Sequence, residues 1–125
     1  MHKMPTELQP LFWAARTKLF QLLPGLEETW KFMGPWYHYR GYLGYLNWDR
    51  KERRLYLGFF HGKHLPHHPL LDGKNLKQVK LTWIPSQEVL DAEAFAEVVI
   101  LAARYNEQIA SKTKRAIRAR ERGTR

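Results

Sequence analysis

The sequence predicts an α+β two-layer sandwich, an antiparallel sheet of four to five strands covered by an N-terminal and a C-terminal helix. The stretch from Trp36 to Leu65 is dense in aromatics and punctuated by Gly41, Gly44, Gly58 and Gly62. One charged run, Asp49 to Arg54, splits it, as a polar hairpin loop splits paired strands. Both ends of the chain carry apolar residues at helical spacing, which suits amphipathic helices laid on a sheet. A chain of 125 residues, 44% of them hydrophobic, is long enough for one domain with one core.

The first helix begins near Thr6. Thr6 and Gln9 have capping-box spacing, while Pro10 suits a first helical position. Leu8, Leu11, Phe12, Ala15, Leu19, Leu22 and Leu23 fall on one face, and Pro24-Gly25 stops the helix. Residues 1–5 are expected to fray. Glu27 to Phe32 reads as a strand through Thr29, Trp30 and Phe32, and Gly34-Pro35 turns the chain. Trp36 to Trp48 reads as one long strand or two bent ones, with Gly41 and Gly44 marking a bulge or a close backbone approach. Strict alternation puts Tyr37, Tyr39, Leu43 and Tyr45 against the helices. It leaves Trp36, His38, Arg40, Tyr42 and Leu46 on a more exposed face.

Leu55 to Phe60 returns as a strand, and His61 to Gly73, rich in Gly and Pro, is a long loop. Lys77 to Ile84 alternates as a half-buried strand, with Val79, Leu81 and Trp83 on one side and Lys80 and Thr82 on the other. The last helix is expected to start at Asp91, with Leu90 and Phe95 at staple spacing. Its buried stripe is Phe95, Val98, Val99, Ala102, Asn106 and Ile109. Glu93 and Glu97 early and Arg104 later agree with the helix dipole. The domain is expected to span residues 1–110, followed by a basic tail, residues 111–125, that frays because it has little to bury.

Taken together, these segments resemble the YdhG-like family of small bacterial proteins, a domain of unknown function. The residues that carry the likeness are the helix end LLPGLEE (22–28), the strand after Gly34-Pro35, GYLGYLN (41–47), LYLGFFHGKHL (55–65), KQVKLTW (77–83) and the closing helix with Ala102-Ala103-Arg104. Leu57 to Leu65 is the most specific piece. The resemblance covers residues 8 to about 110. It implies a frataxin-like sandwich and, for at least one branch, intracellular iron handling on an acidic surface. Glu7, Glu27, Glu28, Glu93 and Glu97 are the carboxylates available for that role. The overall charge of +9 departs from an acidic surface. The resemblance implies no catalytic residues.

The charge is unevenly placed. Residues 111–125 hold seven Lys or Arg against one Glu, a net of +6, and residues 1–110 carry the remaining +3. Lys112, Lys114, Arg115, Arg118, Arg120 and Arg122 form a tail that can bind nucleic acid or another acidic partner without sequence preference. A solubilising tail is the simpler reading of the same residues. His61, His64, His67 and His68 are a candidate metal site, since imidazole ligates transition metals near neutral pH. A solvated, turn-rich loop that happens to be His-rich is the simpler reading, so no cofactor is assigned beyond a candidate metal ion. Trp36, His38, Arg40 and Tyr42 form a candidate aromatic patch that could stack bases or seat a second copy in a homodimer, and a loop or partner subunit packed over them is the simpler reading.

The chain has no cysteine, which excludes disulfides, thiolate metal sites and a cysteine nucleophile, and fits the cytoplasm. No secretory signal or membrane span is legible. No phosphate loop, Gly-x-Ser-x-Gly elbow or His-Glu-x-x-His occurs, so the expected role is a small non-enzymatic binding or accessory protein.

Overall fold

The structure is a computed structural model, and it describes residues 4–31, 34–73 and 77–123, without the side chains of 119–123. A short 3-10 turn, Thr6–Leu8, leads into α1, Gln9–Leu22. Pro10 sits at the start of α1, where its missing N–H costs nothing. The expected Thr6 cap does not form: the cap positions of both the turn and the helix carry no side-chain hydrogen bond. Met4, expected to fray, is buried in the core instead, and Gln9 Nε2 donates to its carbonyl.

Five strands follow, β1 (Glu27–Lys31), β2 (Gly34–His38), β3 (Tyr42–Asp49), β4 (Arg54–Phe59) and β5 (Lys80–Ile84). They form one antiparallel sheet in the order β1-β2-β3-β4-β5, so every strand neighbours the next in sequence. The hairpin at 50–53 is closed by Asp49, whose Oδ1 accepts from the amides of Lys51 and Glu52. Phe32, expected at the end of β1, lies outside the described residues.

One face of the sheet is covered. Phe12, Ala15 and Leu19 of α1, with Leu23 just after it, meet Tyr37, Leu46, Leu55, Leu57, Phe59 and Ile84 from the sheet. Phe95, Val98, Val99, Ala102 and Ala103 from the last helix complete this core. The α+β sandwich is the architecture, with both terminal helices on the same side.

The last helix does not start at Asp91. A single turn, α2 (Gln87–Asp91), comes first; Ala92 is extended, and α3 (Glu93–Gly123) follows. Asp91 ends α2 and accepts from Gln87 Nε2 instead of capping α3. The break has a packing reason. On one straight helix, five residues advance roughly 500°, so Leu90 and Phe95 would point apart. With the break, both are fully buried.

α3 also runs on through the expected fraying tail to Gly123. Lys, Arg and Ala propagate a helix well, and no Gly or Pro intervenes before Gly123. Residues 111–118 are all exposed, so this part projects past the sheet. Ile109, placed by periodicity in the buried stripe, is 37% exposed because the sheet has ended there. Among the described residues no helix is long and apolar enough to cross a membrane.

Candidate nucleic-acid interface on the open sheet face

The other face of the sheet carries a row of rings, and a bulge decides which rings they are. Tyr37 pairs with Gly44, but the next pair is His38 with Tyr42, so Leu43 has no residue opposite. Leu43 and Gly44 therefore share the helix side, and the alternation restarts one residue later. Tyr45, expected to meet the helices, lies on the open face, and Leu46, expected there, is buried in the core. Arg40 is not on a strand face at all. It sits in the β2–β3 turn with φ +55°, next to Gly41 at φ +115°.

In β4 Leu55, Leu57 and Phe59 face the helices, while Tyr56 and Gly58 alternate with them on the other face. In β5 Thr82 and Ile84 are buried on the helix side; of the residues expected on the other side, Leu81 is buried and Trp83 only partly so. Thr82 is tolerated in the core because its hydroxyl donates to the Leu70 carbonyl. The result is a ladder of rings across four strands. Trp36 to Tyr45 is 4.8 Å between centroids, Tyr45 to Tyr56 is 6.1 Å and Tyr56 to Trp83 is 5.7 Å. At the usual strand spacing this row crosses about 14 Å of sheet. All four rings are only partly buried.

Glycine makes the ladder possible. A Cβ on Gly58 would lie 2.7 Å from the Tyr45 ring, so that ring rests directly on Gly58. A Cβ on Gly44 would lie 2.0 Å from the Gly58 carbonyl oxygen, which no other residue could accept. Cations stand at both ends of the row. Lys31 Nζ is 5.0 Å from the Trp36 ring centre, and Arg54 Cζ is 4.3 Å from that of Trp83. Asp72 Oδ2 accepts from Trp83 Nε1 at 3.0 Å and holds that indole in place. Burial pushes the Tyr56 hydroxyl up to about 12, helped by the nearby Tyr45 and Asp49.

A second run of rings turns the corner toward α3. His38 to Tyr42 is 4.5 Å, Tyr42 to Phe60 is 5.4 Å and Phe60 to His61 is 4.9 Å. His61 and His64 then meet Tyr105 of α3 at 5.4 and 5.5 Å, His64 stacked flat on it. Burial, then the nearby His64, holds His61 below its ordinary value. Asn106, placed by periodicity in the buried stripe, is buried and donates to the carbonyls of Tyr39 and Tyr42. Tyr39 donates to Glu107. These bonds anchor α3 against the β2–β3 turn, and its basic portion begins just beyond. Lys114, Arg115 and Arg118 lie on one side of the projecting helix by their spacing, and Lys112 is also exposed. Arg120 and Arg122 continue the helix, but their side chains lie outside the described residues.

The four histidines of the loop do not converge. His61 and His64 pack on Tyr105, His67 is exposed, and His68 is buried elsewhere against Glu97. His68 Nδ1 accepts from the Leu70 amide, so its proton sits on Nε2 and points at Glu97. Among the described residues no group of three or more His, Asp or Glu is placed to hold a metal. Of the carboxylates named for iron, Glu7 is paired with Arg53, Glu97 with His68 and Glu28 with Arg16.

From the sequence, Trp36, His38 and Tyr42 were legible as open-face residues; Tyr45, Tyr56 and Trp83 were not. The alternation of β4, with apolar Leu55, Leu57 and Phe59 at every second position, is the signal that exposes Tyr56. Compared with known family models, curated proteins and solved structures, the chain matches none.

Proposed function

We propose that this protein is a non-enzymatic binding domain for single-stranded nucleic acid. The observation that carries the reading is the ladder Trp36–Tyr45–Tyr56–Trp83 on the face the helices leave open, with Lys31 and Arg54 at its ends. Proteins that hold single strands without sequence preference combine stacking rings with cations that track the backbone. The exposed cations of α3 supply a further phosphate-binding segment, joined to the sheet face through Tyr42, Phe60, His61 and Tyr105. A net charge of +9 favours a polyanion over a neutral polymer on the same rings. Metal handling has less support, because three of the five candidate carboxylates are already paired within the chain.

The test is fluorescence anisotropy with labelled single-stranded DNA and RNA oligonucleotides over a salt series. The expected result is binding by the intact chain that weakens steeply with salt and changes little with base sequence. A Tyr45→Ala, Trp83→Ala variant should bind at least tenfold more weakly, and a chain lacking residues 111–125 should show a shallower salt slope. Binding to a neutral polysaccharide with none to either nucleic acid would overturn the reading.

A further inference from the structure

We propose that β1 is a self-pairing edge that joins two copies of this chain into a dimer with one continuous ten-stranded sheet. The inference rests on the sheet edge and not on nucleic-acid binding, although Lys31 belongs to both surfaces. The two edges of the sheet are managed differently. Beyond β5 the chain covers its own edge: Asp72 and Leu81 exchange both backbone hydrogen bonds, at 2.8 and 2.7 Å. β1 closes the sheet at the other end, pairs only with β2 among the described residues, and is exposed at four of its five positions. An open edge of this kind is a template for another strand.

Its sequence specifies which strand. Glu27 and Lys31 are placed symmetrically about Thr29. In antiparallel self-pairing with Thr29 opposite Thr29, Glu27 of each copy faces Lys31 of the other, twice over. Parallel pairing would set Glu27 against Glu27 and Lys31 against Lys31, so charge selects the two-fold arrangement. The register β1 makes with β2 puts Glu27, Thr29 and Lys31 on the open face with Trp36. On the helix side the same edge carries an apolar patch. Trp30 is 46% exposed and Trp13 of α1 is 51% exposed, with ring centres 6.1 Å apart. Two-fold pairing brings both patches to the axis, where the indoles of one copy cover those of the other. Aromatic anchors beside a strand edge are the usual core of such a contact.

Sedimentation velocity of the full chain over a concentration series tests this. The expected result is a reversible monomer–dimer equilibrium. Glu27→Lys alone and Lys31→Glu alone should each weaken the dimer about tenfold or more, since each turns two attractive pairs repulsive. The double variant Glu27→Lys, Lys31→Glu restores the pairing and should return the dimer to near its original strength. Both side chains are exposed, so the variants keep the fold, which circular dichroism checks. A chain that stays monomeric at all concentrations overturns the proposal. So does a dimer indifferent to either single charge reversal, or one that the double variant fails to rescue.

Discussion

The two faces of the sheet are both rich in large hydrophobic residues and do opposite things. On the covered face Leu46, Leu55, Leu57, Phe59 and Ile84 are sealed under the helices, each 1% exposed or less. On the open face Trp36, Tyr45, Tyr56 and Trp83 touch in series and stay partly accessible. Aliphatic side chains dominate the first and rings the second. A Leu left in water gains nothing, whereas a ring with a polar tip or a cation beside it tolerates a half-wet position and keeps a surface to offer. Strand parity, with the shift at the bulge, places each set on its face.

The sharpest way to break the comparison is to damage the frame both faces share. Gly44→Ala drives a Cβ into the Gly58 carbonyl, and we expect a loss of about 3 kcal/mol or more, read by urea unfolding. Next comes the anchor of the covered face at its β1 end. Glu28 accepts from Arg16 through both oxygens and also from Trp30 and Tyr37, at 2.7–3.0 Å. Burial pushes its carboxyl up, but these donors together outweigh that and hold it below its ordinary value of 4.5. The stabilisation is therefore fully present above pH 4.5 and is lost as pH falls through the lower folded value. Glu28→Gln should cost about 2 kcal/mol at neutral pH and should flatten the acid limb of the stability curve.

Open-face changes should separate binding from stability. Tyr56→Ser or Trp83→Ala should each reduce affinity for single strands about tenfold, on the scale of one stacked base, while the covered core stays intact. Equal losses of stability and binding would show that the open face is a second core instead of a platform. The smallest expected effects are at the corner and along the helix. Lys114→Ala, Arg115→Ala and Arg118→Ala together should lower the salt slope by about 2, since each phosphate contact on a single strand contributes roughly 0.7. His61 is held below its ordinary value of 6.5 in the folded state. Its contribution is thus present above pH 6.5 and lost as pH falls through the folded value, and His61→Gln should remove that slope.

How much was legible follows the same division. Helical periodicity picked out Phe12, Ala15, Leu19, Val98, Val99 and Ala102, because a stripe facing a sheet must be apolar at fixed intervals. Pro24-Gly25 and the Asp49–Arg54 run marked turns by their own local chemistry. What stayed hidden depended on pairing. Gly41 and Gly44 flagged a bulge or a close backbone approach, and both are present, but which residue is left over, Leu43, is invisible to alternation within one strand, because it is defined by what lies opposite. The break at Ala92 was hidden for a related reason: Leu90 and Phe95 satisfy a staple spacing, yet packing decides how the chain delivers both to one core. The histidine loop read as a cluster by position, but Tyr105 and Glu97 drew its members apart.

Placing two tyrosines between two tryptophans at 4.8 to 6.1 Å also has an optical consequence. At such separations light absorbed by Tyr45 and Tyr56 is passed on to Trp36 and Trp83 before it can be emitted. The open face therefore glows almost wholly as indole, and whatever settles on it dims or shifts that emission. The protein carries its own dye at the position where an occupant would be noticed.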